Sequence, residues 1–184
     1  MKVITASSLV LLFALVFLAT HSSSQQIDPL LPICKTVGGG SMYVGIDFCL
    51  SALGSDKRSH STQGYRDLSI IAVDLLTANV TSTAAKIDGL LQKGGGDATT
   101  TTIKCLQSCQ ALYKDIAERQ PACAAAVKKG SFKEAQASLQ KSASAAKECE
   151  AGFGKSRVAS PLTVEDDDAF KLAKLADGLL DYAA

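Results

Sequence analysis

An all-α protein is predicted, with four long helices packed up-down-up-down behind a short N-terminal piece. Three observations lead there. No stretch of useful length alternates apolar and polar residues as a half-buried strand would. Ala, Leu, Lys and Gln, strong helix formers, dominate the long stretches of the chain. Breaks rich in glycine or bearing proline cut those stretches to helix length, and 184 residues suit one ordinary domain.

The N-terminus is set apart first. Met1, Lys2, the apolar run Leu9 to Leu18, then Ala19, Thr20 and Ser22 to Ser24 have the layout of a secretory signal peptide. About ten strongly apolar residues fall short of the roughly 20 that span a bilayer, so cleavage near Gln25 is expected rather than anchoring. Residues 1–24 are therefore assigned to the signal and 25–184 to the mature domain, which has no expected membrane partner. Loss of Lys2 leaves 18 basic and 18 acidic residues, a formally neutral chain that argues against a nucleic-acid partner.

The elements follow in order. Residues 25–53 form an N-terminal piece, and a polar loop from Gly54 to Gln63 leads into the bundle, residues 64–183. The first long helix is expected from Tyr65 to Leu91, with Leu68, Ile71 and Leu75 beside a second stripe of Val73, Leu76, Val80, Ile87 and Leu91. Gly94 to Gly96 end it. The second runs from Thr99 to Lys129, with a kink expected at Pro121. Gly130 stops it after Lys128 and Lys129, and Ser131 with Glu134 reads as a capping box for the third helix, Phe132 to Phe153. That helix repeats Phe132, Ala135, Leu139, Ser142, Ala146, Cys149 and Phe153 at three-four spacing. A fourth helix begins near Thr163, its acidic run Glu165 to Asp168 complementing the macrodipole, and extends to Tyr182. Short connections favour an antiparallel bundle.

Six cysteines in a secreted chain predict disulfides, and six allow fifteen pairings. Cys109 lies 21 residues before Gly130 and Cys149 lies 19 after it, so antiparallel helices bring the two together. Cys105, one turn from Cys109, competes for Cys149 after a small slip. Cys123 is 18 residues from Cys105 on the same helix, about 27 Å away, beyond disulfide reach. Cys105 and Cys123 are thus expected as buried thiols, with intermolecular pairing as the alternative, and Cys34 and Cys49 remain to close the N-terminal piece into a hairpin. Its apolar residues (Ile33, Val37, Val44, Ile46, Phe48, Leu50) suggest a homodimer contact if one chain leaves them uncovered.

A catalytic site is harder to find. After signal removal His60 is the only histidine, set in a Ser-rich charged loop where a solvated role is expected, and no CxxC pair or histidine lies at metal-ligand spacing. No catalytic residue, metal or cofactor is expected. The acidic run at residues 165–168 lacks calcium-loop spacing, and the runs Gly38 to Gly40 and Gly94 to Gly96 do not join strand to helix as phosphate loops do, so both read as plain loops. Asn79-Val80-Thr81 is an N-glycosylation sequon in a predicted helix, and Asn79 is the chain's only Asn.

Taken together, Cys34-Lys35-Thr36, Asp47-Phe48-Cys49-Leu50, Cys109 with Tyr113 four residues on, Cys149-Glu150 with Phe153, and Pro161-Leu162-Thr163 resemble the plant invertase and pectin methylesterase inhibitor family. Leu53 to Ser59 with Asp67-Leu68 is similar to its pollen-allergen-like branch, labelled as invertase inhibitors. The resemblance implies an α-hairpin before a four-helix bundle, with disulfides Cys34–Cys49 and Cys109–Cys149. It also implies a secreted inhibitor, not an enzyme, that blocks the active-site cleft of a carbohydrate-acting enzyme of the apoplast or cell wall, ahead of the vacuole. Family members that inhibit pectin methylesterase lay bundle helices across the substrate groove. Those that inhibit acid invertase present a Pro-Lys-Phe turn, whose positions here are Gly130, Ser131 and Phe132. Only Phe132 is kept, and spacing makes it equally a core residue, so pectin methylesterase is ranked ahead of acid invertase as the partner. A non-inhibitory secreted bundle that binds a ligand or another protein is the remaining alternative.

Overall fold

The computed structural model describes residues 28–62, 64–93 and 99–183. The signal segment and the Gly94 to Gly96 run lie outside them. Within the described residues six α-helices and a 3-10 turn carry the fold, and no strand occurs. Helices α1 (Leu31–Gly39) and α2 (Ile46–Gly54) make the hairpin, and the 3-10 turn Lys57–Ser61 leads to the four bundle helices. These are α3 (Tyr65–Lys93), α4 (Thr100–Lys129), α5 (Phe132–Lys155) and α6 (Thr163–Leu180). Each packs on the next and α6 closes on α3, giving the square arrangement that up-down-up-down connectivity favours.

The stripes read from the sequence face inward. Leu68, Ile71, Val73, Leu76, Val80 and Ile87 of α3 are buried, as are Ala135, Leu139, Ser142, Ala146, Cys149 and Phe153 of α5. Small residues along α5 let α4 and α6 approach closely on either side, and Cys109–Cys149 ties α4 to α5 with Cα atoms 4.9 Å apart. The second bridge, Cys34–Cys49, joins α1 to α2 with Cα atoms 5.5 Å apart. Cys105 and Cys123 are buried free thiols.

The hairpin rests on α3 and α6 rather than standing clear. Ile33, Val37 and Val44 are buried, and Ile46, Phe48 and Leu50 are half-buried against the core. The apolar surface that suggested a homodimer is therefore largely used within one chain. Tyr43 meets Phe170 of α6 edge-on at 5.3 Å between ring centroids.

Two local expectations are corrected. Gly38 and Gly39 do not form a loop but complete the last turn of α1. A Cβ on Gly38 would lie 2.9 Å from the Ile46 backbone nitrogen, so glycine there lets α1 meet the start of α2. Ser131 makes no side-chain cap; at φ −79° and ψ 60° it lacks the extended geometry a capping box requires. Its carbonyl instead accepts from the Glu134 and Ala135 amides, both at 3.1 Å. As expected from the sequence, Pro121 lies inside α4; the residue is exposed, where water can reach the carbonyl left without a donor.

Candidate functional site

The turn between α4 and α5 is the tightest connection in the bundle. Gly130 has φ +80°, a left-handed conformation that ends α4, and the Ser131 amide donates to the Ala126 carbonyl at 2.9 Å. This is the two-bond closure that glycine permits without a Cβ penalty. A second lock comes from α3. Arg66 Nε donates to the Val127 carbonyl at 3.2 Å, and its Nη2 donates to the Lys128 carbonyl. The guanidinium thus occupies carbonyls that every helix C-terminus leaves open, and its positive charge opposes the negative end of the dipole.

Around this locked backbone, Lys128, Lys129, Gly130, Ser131 and Lys133 are exposed, while Phe132 is half-buried against the core. Of the three residues assigned to target contact, Gly130 and Ser131 project at the tip and Phe132 anchors the turn from beneath. Within residues 128–134 three lysines face one glutamate, while Asp67 beside Arg66 and Asp181, hydrogen-bonded to Gln136 at 2.7 Å, bring negative charge to the same end. Sequence reading singled out neither Arg66 nor the charge of the tip; the basic residues flanking Gly130 were the available signal.

A second surface lies along α4 and α5. Leu112, Asp115, Arg119, Gln140, Lys141 and Glu148 line a shallow groove of about 450 Å³, crossed by the Arg119–Asp115 ion pair. It is polar and mixed in charge.

The acidic run opens α6 as expected, with Glu165 and Asp166 in its first turn, but its members find different partners. Glu165 pairs with Lys86 of α3 at 2.6 Å, and Asp167 pairs with Lys171 at 2.6 Å. Asp166 instead turns inward, 2% exposed, and accepts a 2.7 Å hydrogen bond from the Tyr113 hydroxyl of α4. Burial pushes its carboxyl up to about 7; the Tyr113 hydroxyl opposes the rise, while the nearby Glu150 and Glu165 charges reinforce it. Burial likewise raises the Tyr113 hydroxyl and the Cys123 thiol, which makes Cys123 unreactive. Asp166 was legible in principle, since Leu162, Asp166, Ala169 and Ala173 follow the buried stripe of α6 at three-four spacing.

The remaining candidates are dispersed. His60 sits exposed on the 3-10 turn. Asn79 is half-buried in the middle of α3, its Oδ1 enclosed without a hydrogen-bond partner, in a crevice under α2 shared with Phe48, Ala52, Leu75 and Leu172.

The comparisons agree with one another. The family model described as plant invertase/pectin methylesterase inhibitor matches residues 33–177. A relative from Platanus orientalis, described as "Putative invertase inhibitor", is 28% identical over 144 residues, spanning 78% of this chain and 82% of the relative. A second, from Platanus acerifolia and described in the same words, is 27% identical over 144 residues, spanning 78% of each.

Proposed function

We propose, from the premise that the chain belongs to the plant invertase/pectin methylesterase inhibitor family, that it inhibits acid invertase by seating the Gly130 turn in the enzyme's active-site cleft. The family's members are inhibitors of these two enzyme classes and not enzymes themselves, so the question is which target and which surface. The observation that carries the choice is the locked, lysine-flanked tip. Glycoside hydrolysis uses a pair of carboxyl groups flanking the scissile bond, so an invertase cleft presents negative charge at its floor. Lys128, Lys129 and Lys133 complement that charge, and the Arg66 lock means little ordering entropy is lost on binding. The turn lacks the proline and lysine that ranked pectin methylesterase first from sequence; the flanking lysines restore the missing cation, and acid invertase moves ahead. The "Putative invertase inhibitor" label on both Platanus relatives points the same way.

Pectin methylesterase inhibition remains the second reading, favoured by the shallow groove of mixed charge that runs along α4 and α5. The substitution pair Lys128→Glu and Lys129→Glu separates the two. Inhibition of acid invertase should weaken by roughly 10- to 100-fold with the fold intact, as expected for reversing two charges at a steered contact. Unchanged invertase inhibition would remove the tip from the mechanism, and retained potency against pectin methylesterase would move the target to the second class.

The same reading assigns secretion to the apoplast or cell wall after removal of residues 1–24. It takes the protein as a monomer in a one-to-one complex, because the hairpin's apolar residues pack on the bundle. Asn79 is taken as unmodified in the folded protein, since a glycan there would have to leave the crevice beneath α2. An intact mass of the secreted protein free of residues 1–24 and of any glycan, with two disulfides, checks the cleavage and Asn79 at once, and sedimentation as a monomer checks the third point.

A further inference from the structure

The far end of the bundle from the Gly130 turn holds a polar cluster that inhibition does not use. Tyr113 of α4, Glu150 of α5 and Asp166 of α6 meet there beside a crevice of about 310 Å³, with Thr83 of α3 against the phenol oxygen. Asp166 Oδ1 accepts from Tyr113 Oη, and Glu150 Oε1 accepts from Thr163 Oγ1 at 2.9 Å. The other oxygen of each carboxyl, Asp166 Oδ2 and Glu150 Oε2, is buried with no hydrogen-bond partner. Two carboxyl groups in contact, each with one enclosed acceptor and no donor, lack a single hydrogen.

We propose that Asp166 carries a proton and donates it as a hydrogen bond to Glu150, and that this hydrogen clamps α5 to α6, so that the fold is tightest in acidic surroundings and loosens toward neutrality. The charged groups facing the pair from each neighbouring element leave the proton no substitute. From α3, Lys86 is engaged by Glu165. From α5, Lys147 lies over the Phe170 ring at 4.3 Å from its centroid. Within α6, Asp167 is held by Lys171, and Glu165 adds negative charge. From α4 comes only the Tyr113 hydroxyl, whose hydrogen is already given to Asp166. Among the described residues neither Glu150 nor Asp166 has an ion-pair partner.

The sign follows from linkage. An unfolded aspartate titrates near about 3.9, whereas Asp166 in the fold is raised to about 7. The native state therefore holds more protons than the unfolded chain between these values, and stability falls as pH rises through that window. Below it the contribution is fully present; above it the contribution is gone.

Thermal unfolding of the disulfide-intact, signal-free protein across the range from about pH 4.5 to about pH 7.5 tests this. The Tm should fall by on the order of 5–10 °C toward the neutral end. Asp166→Asn supplies the missing hydrogen permanently, its amide donating to Glu150 while its carbonyl keeps the Tyr113 bond, so its Tm should vary much less over the same range. Glu150→Gln supplies it from the other side and should flatten the profile likewise, which keeps the test valid if one variant folds poorly. Asp168 and Asp177 are also raised by burial, but they are unchanged in both variants, so the difference from the parent profile isolates the pair. A parent Tm independent of pH, or variants that fall as steeply as the parent, overturns the proposal. Millimolar calcium restoring the neutral-pH Tm of the parent but not of Asp166→Asn overturns it too, because a cation would then be the missing partner. No outcome depends on which enzyme the Gly130 turn meets.

Discussion

Gly38 and Arg66 show how much of this protein rests on single atoms. A methyl group at residue 38 would meet the Ile46 backbone at 2.9 Å, and a backbone atom cannot step aside as a side-chain end can. Gly38→Ala should therefore destabilise the hairpin by about 1–3 kcal/mol despite alanine's better helix propensity, measured as faster proteolytic nicking near residues 41–45. Arg66→Ala removes two charge-assisted hydrogen bonds from the last carbonyls of α4, with an expected loss of about 1.5–3 kcal/mol in chemical denaturation and a looser turn. If the turn contacts the target, that variant also weakens inhibition, chiefly through faster dissociation. Neither residue is conspicuous in the sequence. A glycine run reads as a loop because the close approach of α2 that requires it is a tertiary fact. An arginine one residue into a helix reads as solvated because its partners lie about 60 residues away.

Each bundle helix was legible from period and punctuation, since the burial of a three-four stripe is what holds such a helix together. The Gly130 stop was legible for the same reason: only glycine takes φ +80° without a Cβ penalty, and lysines precede it. Ser131 misled because a local rule was overruled by context: the closure at Gly130 fixes its backbone away from capping geometry. The bridge between α4 and α5 closes a separation of 40 residues, and on the chain-entropy model it contributes about 4 kcal/mol, against about 3 kcal/mol for the hairpin bridge across 15 residues. The double change Cys109→Ala and Cys149→Ala should lower stability by about that larger amount in denaturant titration, while Cys123→Ala, which leaves only a small void, should lower it by much less.

At the scale of the molecule, the two ends of the bundle carry different chemistry. The Gly130 turn is lysine-flanked, exposed and held by Arg66; the opposite end encloses Asp166 beside Glu150. The fold and its family were legible because four cysteines, their neighbours and the helix lengths recur together. The lysine-flanked tip could also be read, but the lock beneath it required knowing which helix ends meet. Asp166 escaped for a physical reason: within an acidic run opening a helix, the dipole accounts for every carboxylate equally, and only its place on the stripe of Leu162, Ala169 and Ala173 marks it as the one that turns inward. If this bundle stops acid invertase by filling its cleft, titrating the folded, disulfide-intact protein into acid invertase at mildly acidic pH should abolish sucrose hydrolysis, with an endpoint near one inhibitor per enzyme and relief by excess substrate. Full activity at several-fold molar excess of inhibitor, together with a one-to-one endpoint against pectin methylesterase, would contradict it.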